Sequence, residues 1–408
     1  MILILFKGIF AMSRVLILFF ILFIDVMPFS IDKKVFISYD YSLYNVNKFS
    51  LWQYKNLLSP ETNSAFIRFV PHLKFHNRFF EVNAEYDIKN YNSSTLQDEF
   101  RELNCKFEYS SLQILFGKTY TTFGTGYFYN PISVISRKKN IYDPDNKDLS
   151  QELIWLFKFE YFFEDFYFSF VKFKNKSWHN YALLGYLYFK GFDVYSLLFY
   201  TENEKIEYGC GFANTFGDAL ELHGEVIIKN DIDFYYHPII FEENEKKVYT
   251  SEIEFFKEKR KNLKEFMLGF NYSIFGYSVI GEFYHRDFGI KEEEYLKLWK
   301  YFKYNYEADS DFSPMNCYSV LNFLKEVYLF KDYFFIRIAK NFSNFSFSLI
   351  SVFNVDDASL IYLADIDIPF KNNFTIYIKP VFFNGKKKSE FKNSLYSHIL
   401  NFGFRFLF

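Results

Sequence analysis

Residues 79–89 alternate strictly between apolar and polar side chains. The apolar positions are Phe80, Val82, Ala84, Tyr86 and Ile88. Because a β-strand sends successive side chains to opposite faces, this segment would have one wholly apolar face and one polar, charged face. About ten residues is also the length at which a tilted strand crosses a bilayer. The segment therefore predicts a two-faced strand that is long enough to span a membrane.

The same period of two recurs along the chain and predicts a series of strands. The candidates are 35–43, 67–75, 79–89, 102–109, 112–116, 153–161, 166–174, 180–189, 192–201, 205–214, 219–230, 263–274, 277–287, 333–342, 345–354, 358–369, 374–384 and 395–408. No later stretch reaches the uninterrupted apolar length that a transmembrane helix needs. The pattern favours an all-β protein.

The connections between these candidates alternate between short turns and the remainder, so every long loop lies at one end of the sheet. The short connections are 76–78, 110–111, 164–165, 190–191, 215–218, 275–276, 343–344 and 370–373, and the long ones are 46–64, 119–150, 231–262 and 288–332. A count of 18 strands requires residues 319–330 to be a helix or loop segment, and 16 strands remains an open alternative. In the last long loop, Leu296, Leu298, Trp299 and Phe302 have roughly helical spacing.

A sheet that spans a membrane must close on itself, because open edges would leave backbone groups unpaired in lipid. We therefore predict a single antiparallel transmembrane β-barrel of 16–18 strands, with short periplasmic turns and long external loops. A soluble β-sandwich, with the charged face toward water, is the alternative that alternation alone leaves open.

The two ends of the chain carry targeting features. Residues 1–30 contain Arg14 followed by the apolar run 15–24, which is typical of a signal peptide. The barrel is then expected over residues 31–408. The last strand places Phe402, Phe404, Phe406 and Phe408 on one parity, which resembles the C-terminal signal of bacterial outer-membrane barrels. That resemblance implies recognition by the barrel-assembly machinery.

One glycine-rich segment, residues 115–131, stands out from the strand pattern. Its notable positions are Gly117, Lys118, Gly124, Gly126, Asn130 and Pro131. Glycines permit close backbone approach, and Asn-Pro is a turn signal. The segment resembles one in porin-like outer-membrane barrels, where Gly-Arg/Lys is followed by Trp-Gly-x-Gly-x-x-x-Asn-Pro-x-Asp. Phe123 replaces the Trp here, and Ser133 replaces the Asp. The resemblance implies a constriction loop, and a plain turn that merely leaves the strand is the alternative.

The polar parity of the cleanest strands supplies candidate pore-lining residues. They are Glu81, Glu85, Asp87, Lys89, Glu102, Lys106, Glu108, Lys158 and Glu160. Acidic residues are in the majority, which predicts at most a mild preference for cations. Side chains are not expected to fill a barrel of this size, so an aqueous channel is expected.

Other chemistry is not indicated by the sequence. The seven His and three Cys show no metal-ligand spacing, no nucleophile elbow is present, and we expect neither a cofactor nor an enzyme. The formal net charge of −2 gives no reason to expect nucleic acid as a partner.

We therefore predict a bacterial outer-membrane channel for passive diffusion of small hydrophilic solutes, with outer-membrane lipid and the assembly machinery as its other partners. The alternative is a barrel that acts through its external loops as an adhesin or binding protein.

Overall fold

The computed structural model describes most of the chain after the predicted signal peptide. The described residues are 30–47, 62–91, 95–133, 153–175, 178–202, 205–230, 232–236, 240–243, 246–249, 256–260, 262–307, 330–370, 373–394 and 396–408. The predicted signal peptide, apart from Ser30, and residues 319–329 lie outside these ranges. The first strand begins at Ser30.

Eighteen antiparallel strands form a single closed sheet. They are β1 (Ser30–Val46), β2 (Asn63–His76), β3 (Phe80–Tyr91), β4 (Thr95–Tyr109), β5 (Leu112–Thr119), β6 (Ile154–Phe162), β7 (Phe166–Asn175), β8 (Trp178–Phe189), β9 (Phe192–Thr201), β10 (Lys205–Phe216), β11 (Leu220–Lys229), β16 (Leu263–Ile274), β17 (Tyr277–Arg286), β18 (Asp332–Asn341), β19 (Ser346–Asn354), β20 (Ser359–Phe370), β21 (Phe374–Asn384) and β22 (Tyr396–Leu407). The all-β barrel and the upper end of the predicted strand range are confirmed.

The sheet closes because β1 pairs with β22 as well as with β2. Opposite residues include Ser38 with Arg405 and Asp40 with Gly403. Each strand thus has two hydrogen-bonded neighbours, and no edge is left with unpaired backbone groups. Several short connections are two-residue turns whose backbone suits a tight hairpin, such as Phe275-Gly276, where φ is 49° and 77°.

The predicted loop 231–262 contains further strands that do not join the barrel sheet. They form two ribbons, β12 (Ile232–Tyr236) with β15 (Phe256–Arg260), and β13 (Ile240–Glu243) with β14 (Lys246–Tyr249). Alternating apolar residues in 232–236 are the sequence feature that marks the first ribbon, so the predicted long loop contains secondary structure of its own.

A helix, α1 (Glu292–Glu307), occupies the predicted loop 288–332, as the spacing of its apolar residues indicates. Its Tyr295, Leu298 and Phe302 side chains are fully buried. Among the described residues, no helix has both the length and the apolar character needed to cross a bilayer.

Two apolar clusters fill part of the barrel interior. The first joins α1 and the 3-10 helix Phe391–Asn393 to side chains of β17 through β22, and the second lies on β6 through β11. Only the concave face of a closed sheet brings such distant strands together, so these clusters identify the inner face. The expectation that side chains would not fill a barrel of this size therefore needs correction: aromatic and aliphatic groups occupy two sides of the interior.

Candidate functional site

The chain that follows β5 crosses the interior of the barrel. Tyr127 of this segment bonds to Glu282 on β17, which is eight strands away from β5 around the sheet. Eight inter-strand spacings amount to about 38 Å. The eight residue-to-residue steps from Thr119 to Tyr127 reach at most about 29 Å when fully extended. The segment is too short to follow the wall around the barrel, so it crosses the interior directly. We call residues 120–133 the docked segment.

Glu225 on β11 binds two parts of the docked segment. Its Oε1 accepts the backbone N–H groups of Thr125 and, at 3.0 Å, of Gly126, together with the Thr125 hydroxyl at 3.1 Å. Its Oε2 accepts the N–H of Ile132 at 3.2 Å. The Glu225 carboxylate is only 4% exposed. A buried carboxylate is tolerated when charge-assisted hydrogen bonds replace its hydration, and here the docked segment supplies them.

Glu282 on β17 performs the same role for the next residues. Its carboxylate accepts the N–H groups of Tyr127, of Phe128 at 2.8 Å and of Tyr129 at 3.4 Å. His223 Nε2 lies 3.3 Å from the same carboxylate. Glu225 and Glu282 thus hold a continuous run of backbone N–H groups from Thr125 to Tyr129.

Glu265 on β16 anchors the side chain of Tyr129. The Tyr129 hydroxyl donates to Glu265 Oε2 at 2.8 Å, and Lys229 forms an ion pair with the same carboxylate. Burial raises the pKa of the Tyr129 phenol well above its ordinary value, and the negative charge of Glu265 raises it further. The phenol therefore stays protonated and donates its hydrogen bond at any physiological pH. We call Glu225, Glu265 and Glu282 the docking carboxylates.

Apolar contacts complete the attachment of the docked segment. Ile132 has no exposed surface and packs beside Gly209 and Gly211, where a Cβ atom would lie 2.9 Å and 3.5 Å from its side chain. The Phe128 ring stacks on Phe335 with ring centroids 4.3 Å apart. The small residues of β10 thus leave room for the segment to lie against the wall.

The sequence-predicted glycines of this segment differ in their positions. Gly124 has φ of +87°, and a Cβ at Gly126 would collide with the Tyr129 carbonyl and approach Met267 Cε at 2.9 Å. Gly117 lies in β5 with φ of +141°, packed against the backbone of β4. Lys118 lies on the outer face, where its ammonium bonds to Glu99 and to the Phe100 carbonyl.

Asn130 and Pro131 form the turn that the sequence predicted. The N–H of Ser133 donates to the Asn130 carbonyl at 3.1 Å, and both residues of the Asn-Pro pair are buried. This turn brings Ile132 back toward Glu225.

The predicted pore-lining residues all fall on the inner parity of their strands. Those on β3 and β4 lie on adjacent paired strands, whereas Lys158 and Glu160 form a 2.8 Å pair on β6. Many are paired: the distances are 2.8 Å for Lys74–Glu81, 2.8 Å for Arg101–Glu85, 2.7 Å for Arg68–Asp87, 3.3 Å for Lys89–Asp87 and 2.6 Å for Lys106–Glu108. Glu102 accepts hydrogen bonds from Asn104 and Thr119.

Sequence reasoning missed the docking carboxylates and the basic partners Arg68, Lys74 and Arg101. Parity alone places Glu225 on the same face as His223, so an inner position was available from the sequence. Its role was not, because nothing in the sequence says which strand lies opposite β5. Within the described ranges, no group of three or more His, Cys, Asp or Glu is arranged to hold a metal ion.

The outer face of the barrel is apolar, in contrast to the charged inner face. Large apolar side chains there are exposed, including Ile67 at 55%, Trp155 at 53% and Leu268 at 52%. Phe402, Phe404, Phe406 and Phe408 share this outer parity. Monomeric soluble proteins rarely expose so many large apolar side chains on one face.

Comparison with known proteins gives a structural likeness without a sequence relationship. No family model matches the chain, and no curated protein matches its sequence. Solved structures from Pseudomonas aeruginosa do match. OccK5 (OpdH) has a TM-score of 0.58 at 8% identity, covering 93% of this chain and 98% of that chain. OpdL has a TM-score of 0.57 at 7% identity, covering 93% and 99%.

OccK2 (OpdF) in complex with glucuronate has a TM-score of 0.56 at 6% identity, covering 93% of this chain and 98% of that chain. At these identities the likeness establishes the fold and does not test the glycine-rich motif. The chain has the closed 18-stranded barrel fold of outer-membrane porin structures.

Proposed function

We propose that this protein is a bacterial outer-membrane channel for the passive diffusion of small hydrophilic solutes. The observation that carries the proposal is the docked segment inside a closed barrel whose exterior is apolar. A barrel that served only to display loops would need no carboxylates buried inside it to hold a segment across its lumen.

Aromatic residues at the short turns support insertion in a membrane. Every one of the eight short turns is flanked by an outward Phe or Tyr. Exposed examples are Tyr109, Phe163, Phe189, Phe216, Phe275, Phe342 and Phe370. Aromatic side chains concentrate where the hydrocarbon meets the headgroups of a membrane. The short-turn end of this barrel thus has the aromatic ring expected at the periplasmic interface.

The proposed path for solutes runs between the docked segment and the polar inner face of β20 through β4. The docked segment and the second apolar cluster line the side formed by β6 through β17, and α1 covers the long-loop end of β17 through β22. What remains is the inner face rich in ion pairs described above. A polar passage lowers the cost of moving a hydrated solute past hydrocarbon, and its lining sets selectivity.

The likeness to OccK2 (OpdF), solved in complex with glucuronate, is consistent with a small hydrophilic solute as the transported class. The alternative of an adhesin acting through external loops gains no support from the comparisons. The N-terminal signal peptide and the C-terminal aromatic assembly signal remain part of the proposal, because export and barrel assembly both require a signal. The proposed transport step requires no catalytic group or cofactor.

Planar-bilayer recording of the detergent-purified protein tests this function. We expect stepwise conductance increases, together with heat-modifiable migration on a detergent gel and recovery in the outer-membrane fraction. A folded, heat-modifiable protein that leaves the bilayer silent would contradict the channel, and extraction without detergent would contradict the membrane location.

A further inference from the structure

We propose that the passage favours small zwitterionic solutes over ions of either sign. This inference deepens the proposed channel function and rests on it. It comes from the arrangement of charge on the inner face of seven consecutive strands, β20, β21, β22, β1, β2, β3 and β4. We call the ionisable side chains in the middle of this face the charged wall.

The charged wall contains nine carboxylates and eight Lys or Arg side chains. The carboxylates are Asp32, Asp40, Glu81, Glu85, Asp87, Glu102, Glu108, Asp365 and Asp367, and the cations are Lys34, Arg68, Lys74, Lys89, Arg101, Lys106, Lys379 and Arg405. The mild cation preference predicted from the acidic majority came from a partial set, which omitted most of these cations. The whole wall is close to neutral.

The sign of charge alternates from strand to strand around much of this wall. β20 contributes acidic residues, β21 and β22 basic ones, and β1 the acidic Asp32 and Asp40 with one Lys34; β2 is then basic, and β3 is mainly acidic. Ion pairs join neighbouring strands, such as Lys379–Asp365 at 2.9 Å and Arg68–Asp87 at 2.7 Å. Most of these ion pairs are thus side-by-side dipoles that point across the strands, whereas Lys89–Asp87 and Lys106–Glu108 lie along a single strand.

The docked segment, on the opposite side of the passage, contributes no formal charge of its own. Residues 119–133, which include the whole docked segment, contain no Asp, Glu, Lys or Arg. The docking carboxylates beneath the segment are buried by its backbone. The charged wall therefore contributes most of the formal charge that a passing solute meets among the described residues, with Lys158, Glu160, Glu221 and Arg337 adding to it from the other side.

A monovalent ion beside this wall meets attractive and repulsive charges at similar distances, and the two contributions largely cancel. A zwitterion oriented antiparallel to a wall dipole makes two attractive contacts at once. The paired nitrogen and carboxylate oxygen atoms that join neighbouring strands of the wall lie 2.7 Å apart in Arg68–Asp87, 2.8 Å in Lys74–Glu81 and 2.9 Å in Lys379–Asp365. These distances are comparable to the separation of the ammonium nitrogen and a carboxylate oxygen in an α-amino acid.

The wall charges are accessible enough to act on a solute. The side chains of Lys74 and Glu81 are 32% and 29% exposed, and that of Lys106 is 27% exposed. One exposed charge contact changes an equilibrium by about two- to fivefold. Two simultaneous contacts therefore favour the binding of a zwitterion to the wall by that factor or more, compared with an ion of similar dimensions.

Flux through the full-length protein in proteoliposomes tests the inference with four near-isosteric probes. These are alanine (zwitterion), lactate (anion), alaninamide (cation) and lactamide (neutral). We expect alanine to cross several-fold faster than the other three. In a KCl gradient we expect a reversal potential near zero. Lactate, alaninamide or lactamide crossing as fast as alanine would overturn the inference, as would a strongly ion-selective reversal potential.

Neutralising one sign of the wall provides matched variants. Lys74→Gln with Lys106→Gln leaves nearby carboxylates unpaired, and we expect cation selectivity and faster alaninamide flux. Glu81→Gln with Glu108→Gln is expected to shift selectivity toward anions. Lys172→Gln, on the outer face of β7, is the control and is expected to change neither quantity. Unchanged selectivity in both double variants would also overturn the inference.

The outcomes separate this inference from the proposed function. A protein that passes no solute and no current fails as a channel. A protein that conducts KCl and passes all four probes, but without a preference for alanine, is a channel without the proposed selectivity.

Discussion

Replacing Glu225 by Gln should release the docked segment from the wall for a measurable fraction of the time. Glu225 accepts hydrogen bonds through both carboxylate oxygens, from Thr125 and Gly126 on one side and from Ile132 on the other. Glutamine has one acceptor oxygen and one NH2 group. In either orientation, at least one buried backbone N–H would face another donor.

The size of the effect follows from the bond that is lost. A hydrogen bond to a charged group contributes about 1.5–3 kcal/mol. That range corresponds to about a 10- to 150-fold change in the ratio of docked to undocked states. If the undocked state of the native protein is populated at about 0.1%, the variant would reach about 1–13%.

Single-channel recording measures this population directly, because a displaced segment widens the passage. We expect Glu225→Gln to add brief, higher-conductance events to the native trace, and the double variant Glu225→Gln with Glu282→Gln to prolong them. Glu221→Gln is the matched control: it lies on the same strand and face, and no hydrogen bond joins its side chain to the docked segment among the described contacts. Equal event frequencies in Glu225→Gln and in the control would refute the docking argument.

Other perturbations give separate tests. Ile132→Ala should create a cavity that costs about 2–5 kcal/mol of docking, seen as increased current noise in a barrel that still migrates as folded. Asp87→Asn should leave the Arg68 guanidinium buried without its carboxylate, costing about 3–5 kcal/mol, and lower the temperature at which heat-modifiable migration is lost. Gly126→Val should disturb the same docking by collision with Tyr129, and normal conductance in this variant would contradict the observed packing. Deleting Phe408 should reduce the amount of assembled barrel in the outer membrane, and unchanged assembly would remove its proposed role as a signal.

The strands were predictable because a barrel wall separates two environments along its entire length. Alternation in segments such as 79–89 and 153–161 identifies strands whichever face meets lipid. The lengths of the turns show which strand ends lie at the same end of the barrel. The helical spacing of Leu298 and Phe302 indicated α1, and both side chains are buried inside the barrel mouth. The strands and the helix depend on residues that are close in sequence, so they can be predicted from a single sequence.

The site was less predictable because its contacts join distant strands. The bond between Tyr127 and Glu282 depends on the number of strands in the closed sheet, which places β17 across from β5. The charges of β20 through β22 were missed for another reason. Apolar residues such as Leu363 and Val381 share their inner parity, because the first apolar cluster packs there, and this hides the alternation.

The division of the passage between an uncharged docked segment and a charged wall has a consequence for mutational coupling. Arg101 of the charged wall bonds to the Tyr120 hydroxyl of the docked segment, but Glu225 and Lys74 share no hydrogen bond among their described contacts. Changes at such separate positions generally combine additively in free energy. A pore engineer could therefore enlarge the lumen by changing Glu225 and alter its ionic preference by changing Lys74. The effect of the double variant would follow from the effects of the two single variants.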